Sequence, residues 1–379
     1  MKLALVVGAR PNFVKISPLI KAINEHNKST LPQIQYILVH TGQHYDSFMS
    51  DSFFQSLQIP KPHFNLGIGS GTHAEQVGNT MIAFEKVLKS EQPDWVVVVG
   101  DVNATLACSI TAKKEQIKVC HIEAGLRSGD MTMPEEINRL VTDRLSDLLL
   151  TPDQLSSKNL QQEGTDVDKI KMVGNIMIDT LNDALETAGM LELDEIIQRN
   201  SADEVNKNPE ADSYALITLH RPSNVDQVED LTKIVQFFID QAASQIPLVW
   251  PVHPRTLKNL ERFELLETLR KNNNIILLQP LNYFDMLKLN SQAKMVITDS
   301  GGLQEECTVL GTPCITMRFN TERPITLQEH GGTSVLVGND LSKVKLSFNA
   351  ALNQKRESRI PELWDGHAAV RCLAEIIKY

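Results

Sequence analysis

The chain has 379 residues, 42% of them hydrophobic, enough for two domains that each bury a core. Its formal net charge of −10 argues against a nucleic-acid partner, whose phosphates need a basic surface, but a few local cations suffice for a small phosphorylated ligand. Five scattered cysteines, Cys108, Cys120, Cys307, Cys314 and Cys372, form no CxxC pair; this argues against a zinc site or disulfide framework and fits reduced thiols in the cytoplasm.

The first apolar run, 2–7, is too short for a signal peptide and reads as a strand. No stretch approaches the length of a membrane-spanning helix, so no membrane partner is expected. The strand ends in Gly8-Ala9-Arg10-Pro11-Asn12-Phe13-Val14-Lys15, which is not the GxGxxG dinucleotide fingerprint. Arg10 falls in the turn and Lys15 about one helical turn later. Both can reach a phosphate, and a surface Arg with a snorkelling Lys explains the pattern equally well. A second strand, 34–39, leads into His40-Thr41-Gly42-Gln43-His44, either a ligand loop or a plain polar turn; two histidines alone make no metal site.

The run 95–100 is almost continuous valine, the mark of a parallel strand covered on both faces. It ends in Gly100-Asp101, where Asp101 also suits a helix cap. The run 118–123 ends in Glu123. Asp101 and Glu123 are therefore expected at one edge of one sheet, where paired carboxylates can divide acid and base roles. Met133-Pro134-Glu135-Glu136-Ile137-Asn138-Arg139 reads as a helix start, with Glu135 and Arg139 at the spacing of an i,i+4 ion pair. Runs at 147–151 and 170–173 complete this half. The second domain is expected to start near 174, and polar 185–212 to hold a helix and a surface loop.

A second series of strands is expected at 214–219, 247–252, 274–278, 295–299, 313–317 and 334–337. His220-Arg221, His253 and Gln279 follow the first three, and Met317-Arg318 with Glu322-Arg323 extends the same rim. After the fourth comes Thr298-Asp299-Ser300-Gly301-Gly302-Leu303-Gln304-Glu305-Glu306. A strand that turns through Ser-Gly-Gly into a helix aims free backbone N–H groups at one point and lets a bulky anion approach. That suits a nucleotide diphosphate, with one of the following carboxylates on a ribose. A simple Ser cap with two packing glycines accounts for the same pattern. Residues 366–378 read as an amphipathic helix. The alternation predicts an α/β protein of two doubly wound, Rossmann-like domains facing across a cleft, with ligands at the strands' carboxyl ends. By position on that rim, Lys15, His253, Gln279, Gly302 and Arg323 join the candidate ligand-binding residues.

In order along nearly the whole chain, several motifs resemble those of the non-hydrolysing UDP-N-acetylglucosamine 2-epimerases. They are Gly8-Ala9-Arg10-Pro11, Gln43-His44, Gly100-Asp101, His121 to Arg127, Pro134 to Arg139, His220-Arg221, Pro251 to Pro254, Thr298 to Glu306 and Glu322-Arg323-Pro324. The resemblance implies the GT-B architecture, with 1–173 and 362–379 in an N-terminal domain and 174–361 in a UDP-binding domain. It also implies a homodimer and neither metal nor redox cofactor. The implied reaction inverts C2 of UDP-GlcNAc to give UDP-ManNAc, by anti elimination of UDP to a bound 2-acetamidoglucal and re-addition. Asp101, Glu123 and Glu135 are the implied acid/base set, and His220 and Arg10 would steady the leaving UDP. Ser300 and Gly301 would help at the helix start, and Glu306 would bind the ribose.

The chain departs from the family pattern twice. Pro222-Ser223-Asn224 follows Arg221 where many members continue Arg-Glu-Asn. The region Gly67 to Thr72, next to Gln43 and His44 in a second, activating substrate site of bacterial members, holds no arginine. Substrate activation and the particular 2-acetamido sugar therefore stay open. So do a hydrolysing epimerase, a GT-B glycosyltransferase and a nucleotide-sugar sensor.

Overall fold

The computed structural model describes residues 1–42, 59–201, 203 and 208–379, apart from the side chain of Arg10. Its apolar runs pair into two wholly parallel sheets within two compact units, Met1–Thr180 with Glu362–Tyr379, and Leu181–Pro361. The first unit holds β1 (Lys2–Val7), β2 (Gln35–His40), β3 (Phe64–Asn65), β4 (Trp95–Val99), β5 (Lys118–Ile122), β6 (Leu148–Thr151) and β7 (Ile170–Met172), in the order β3-β2-β1-β4-β5-β6-β7. Parallel neighbours need a crossover, and helices such as Arg10–Ser29, His73–Glu91, Asn103–Lys114 and Pro134–Leu145 supply it. Strands run outward in both directions from β1 and β4, so the switch point of the sheet lies between these two.

Both faces of this sheet are covered. Leu3, Leu5, Val7, Val97 and Val99 enter one apolar cluster, while Ala4, Val6, Val96 and Val98 enter the other. That alternation explains why the valine run must be apolar throughout. The helix Ala368–Lys378 packs Ala369, Cys372, Leu373 and Ile376 into the first cluster, beside Phe13 and Ile16. Asp179 accepts from the N–H groups of Ala368 (3.1 Å) and Ala369 (2.8 Å) at its start. Gly174 has φ 87°, and a side-chain carbon there would lie 2.0 Å from the Leu363 carbonyl oxygen. Arg371 secures this contact by donating to the carbonyls of Leu363 and Val173, each at 2.7 Å.

The second unit holds β8 (Ala215–Thr218), β9 (Leu248–Pro251), β10 (Ile275–Leu278), β11 (Met295–Thr298), β12 (Cys314–Thr316) and β13 (Ser334–Leu336), in the order β10-β9-β8-β11-β12-β13. Its switch point lies between β8 and β11. Ala215, Ile217, Met295 and Ile297 face one cluster, and Leu216 and Val296 the other.

Every expected strand is present, with ends that differ by a residue or so. β3 was not foreseen. The division between the units falls inside the helix Ile176–Gly189, after Thr180, rather than near 174, because Ile176 and Met177 bury their side chains in the first unit's core.

Candidate active site

In the first unit, polar residues gather where β1 and β4 end. Gly100 has φ 70°, which glycine adopts without strain. A side-chain carbon there would lie 3.4 Å from Asn12 Nδ2, 3.5 Å from Glu123 Oε2 and 3.6 Å from Lys15 Nζ. Asn12 fixes the turn after β1: it accepts from the N–H groups of Gly8 (3.1 Å) and Ala9 (3.0 Å) and donates to the Val99 carbonyl at 3.0 Å. The side chain of Arg10 lies outside the described residues, as do Gln43 and His44.

Val99 pairs with Ile122 across β4 and β5, so Asp101 and Glu123 leave neighbouring strand ends. Each has its own cation. Glu123 Oε2 pairs with Lys15 Nζ, and both side chains are buried. Asp101 Oδ2 accepts from Arg139 Nη1 at 2.5 Å. Lys15 thus engages a carboxylate, a partner that its place in the sequence did not disclose. Two features single out Glu123. Its φ of 69° is the left-handed region, unusual for a residue with a side chain. Its Oε1 is buried yet has no hydrogen-bond partner among the described residues. A buried polar oxygen left unsatisfied is destabilising, and such atoms concentrate where a ligand completes the site.

Glu135, in the first turn of Pro134–Leu145, is exposed. The neighbouring Glu136 turns inward, accepting from Arg139 Nη2 (2.5 Å), the Ser128 N–H (2.9 Å) and the Gly129 N–H (3.0 Å). The expected i,i+4 pair of Glu135 with Arg139 is thus replaced by an i,i+3 pair with Glu136, to which the loop before the helix also donates. Burial works to raise the Glu136 carboxyl, but the Ser128 N–H and Arg139 hold it below its ordinary value. Beneath Gly100, His121 Nε2 donates to the Gly100 carbonyl at 2.9 Å, and Nδ1 lies 2.6 Å from Asp143 Oδ1. Burial opposes ionisation of Asp143, but His121 and Arg127 outweigh it and hold its carboxyl low.

In the second unit, Asp299 ends β11 fully buried. It accepts from the N–H groups of His220 (3.0 Å) and Arg221 (2.8 Å) and from Asn224 Nδ2 (2.9 Å). His220 Nδ1 lies 2.9 Å from its other oxygen. Burial pushes the Asp299 carboxyl up, and the His220 hydrogen bond and charge, with the Arg221 N–H, more than offset it. This clasp joins the ends of β8 and β11 and orients the half-exposed His220 ring, whose Nε2 remains for a ligand. The His253 ring lies 5.3 Å away, centroid to centroid; burial, then the neighbouring His220, lower its pKa. Asp299 stood in a quoted motif without a role. Its place immediately after an apolar strand was the available signal.

The helix Gly301–Leu310 starts at the same strand end. Ser300 makes no side-chain cap, so the first-turn N–H groups stay available to a ligand. A side-chain carbon on Gly301 would lie 2.7 Å from Arg323 Nη1. Arg323 therefore sits against the helix start, ion-paired to Glu322 and, at 2.8 Å, to Glu305. Glu322 also accepts from Arg318 at 2.6 Å; burial opposes its ionisation, but the two arginines keep it well below the usual carboxylate range. Glu306 lies deeper, accepting from Asn290 Nδ2 at 3.3 Å. Burial, aided by the Glu305 charge and opposed by Asn290, pushes its pKa up to about 7. Gln279 is exposed just after β10.

Residues 26–378 match the family described as UDP-N-acetylglucosamine 2-epimerase. A UDP-N-acetylglucosamine 2-epimerase of Methanocaldococcus jannaschii is 42% identical over 95% of this chain and 95% of its own. A UDP-2,3-diacetamido-2,3-dideoxy-D-glucuronate 2-epimerase of Pseudomonas aeruginosa is 37% identical over 100% of this chain and 99% of its own. The crystal structure of the M. jannaschii UDP-GlcNAc 2-epimerase in complex with UDP-GlcNAc and UDP covers 100% of both chains, with TM-score 0.88 and 40% identity.

Proposed function

We propose, for a chain that belongs to the UDP-N-acetylglucosamine 2-epimerase family and is thus an isomerase, that it interconverts UDP-GlcNAc and UDP-ManNAc without hydrolysis. In this reading the second unit supplies the groups for UDP and the first unit the groups for C2. The C2 proton is not acidic by itself. As the C1–O bond to the diphosphate breaks, its electron pair leaves with UDP and positive character at C1 eases removal of that proton by a carboxylate. The 2-acetamidoglucal stays bound, a proton returns to the opposite face of C2, and a UDP oxygen re-forms the bond to C1. Asp101, Glu123 and Glu135 form the acid/base set. His220 and Arg10 steady the departing UDP together with the helix start at Ser300, Gly301 and Gly302, and Glu306 meets the ribose. Lys15 keeps Glu123 paired, and His253, Gln279 and Arg323 line or support the UDP side.

The observation that carries this reading is the buried Oε1 of Glu123, without a hydrogen-bond partner among the described residues, next to Asp101 at adjoining strand ends. A second reading, another 2-acetamido UDP-sugar, is supported by the likeness to the P. aeruginosa relative named for a diacetamido glucuronate. Incubation with UDP-GlcNAc in deuterated water, followed by NMR, tests both. Deuterium at C2 with UDP still attached is expected. Free ManNAc would replace the reading with a hydrolysing epimerase. Exchange only with a diacetamido UDP-uronate would favour the second reading, and no exchange with either would end both.

A further inference from the structure

We propose that Arg139 is a positioning residue for the C2 chemistry: its guanidinium, braced by Glu136, holds the Asp101 carboxylate by one oxygen and leaves the other for substrate. The inference rests on the epimerase reading above. Arg139 is among the largest fully buried side chains of the protein, at 1% exposure. Nε and Nη2 engage Glu136 Oε2 at 3.2 and 2.5 Å, and Nη1 reaches Asp101 Oδ2 at 2.5 Å. Glu136 cannot swing away, since it also accepts from Ser128 and Gly129. Asn138, one residue before Arg139, donates to the Asp101 carbonyl at 2.8 Å. The backbone and the side chain of Asp101 are therefore held from one helix.

A guanidinium buried between two carboxylates has a fixed fork geometry that an ammonium lacks. Pinning one oxygen selects one orientation of the Asp101 side chain and prepays the ordering that catalysis needs. The arrangement also ties the loop Ser128–Gly129, and with it the start of the helix that carries Glu135, to the same cation. One arginine thus sets the spacing of two members of the acid/base set.

Arg139→Lys keeps the charge but reaches only one carboxylate at a time. Loss of positioning without loss of binding is expected to lower kcat for C2 exchange about 30-fold or more, with KM changed less than about threefold. In protein labelled with carboxyl-13C aspartate, the Asp101 signal, assigned by its disappearance in Asp101→Asn, is expected to move in Arg139→Lys. If Arg139→Lys does not fold, Glu136→Gln, which loosens the brace and keeps its shape, is expected to give the same split at about tenfold. An Arg139→Lys protein that exchanges as fast as wild type, or an Asp101 signal that stays in place, overturns the role of Arg139 while the epimerase reading stands. Absence of exchange in the wild type overturns that reading and this proposal with it.

Discussion

Single side chains in this protein are often held in the state that would be unfavourable in water. Glu306 shows this most directly, since burial lifts its pKa to about 7. A carboxyl with a raised folded pKa binds a proton that the unfolded chain has released. Its contribution to stability is complete below the ordinary glutamate value and fades as pH rises through about 7. Glu306→Gln removes that titration with little change in shape. The variant is expected to gain on wild type between pH 5 and pH 8, by on the order of 1–3 kcal/mol. Urea midpoints measured at both pH values check this, and an unchanging gap between the two proteins would contradict it. The sequence did not announce the state of Glu306, because its burial, its hydrogen bonds with Asn290 and Tyr283 and the nearby Glu305 charge arise only in the folded protein.

At the scale of elements, the strand-to-helix turn at Ser300 depends on a missing side chain. A methyl group on Gly301 would lie 2.7 Å from Arg323 Nη1 and 2.9 Å from Glu322 Oε1, so the ion pair behind the helix start must shift. Gly301→Ala is expected to weaken UDP binding about tenfold, roughly 1.4 kcal/mol, with the fold intact. Titration calorimetry checks it, and an unchanged dissociation constant would show that the helix start does not hold the diphosphate. The glycines and Arg323 were legible in the sequence as parts of one rim, but the close packing of Arg323 behind Gly301 was not. Strands were legible for a simple reason: double-faced burial demands unbroken apolar runs, as in Val96 to Val99. β3 escaped because it is only two residues, Phe64 and Asn65, after a Pro-rich stretch. The choice between Glu135 and Glu136 escaped for another reason. Both suit a first helical turn, and only the folded loop at Ser128 and Gly129 decides which turns inward.

At the scale of the whole molecule, two units with separate apolar cores carry different parts of the proposed chemistry. A ligand stabilises the part that holds it, by about 2.7 kcal/mol at a hundred times its dissociation constant. UDP alone is expected to slow amide exchange at 220–225 and 299–303 in the second unit. Slowing there is measurable by mass spectrometry, and its absence would place the nucleotide elsewhere. The proposed division of labour rests on motif order along the chain, whereas the tie between Lys15 and Glu123 required the folded sheet edge, because 108 positions separate them.

Gly174 and Leu363 touch a few residues inside the first unit from where the chain leaves it, after Thr180, and where it comes back, at Glu362. The whole span from Leu181 to Pro361 is therefore threaded out and home through a single doorway, like a cassette whose two ends are soldered side by side. New termini opened within that span would leave the doorway intact, and a foreign cassette with similarly adjacent ends could be seated there without re-routing a strand of the host.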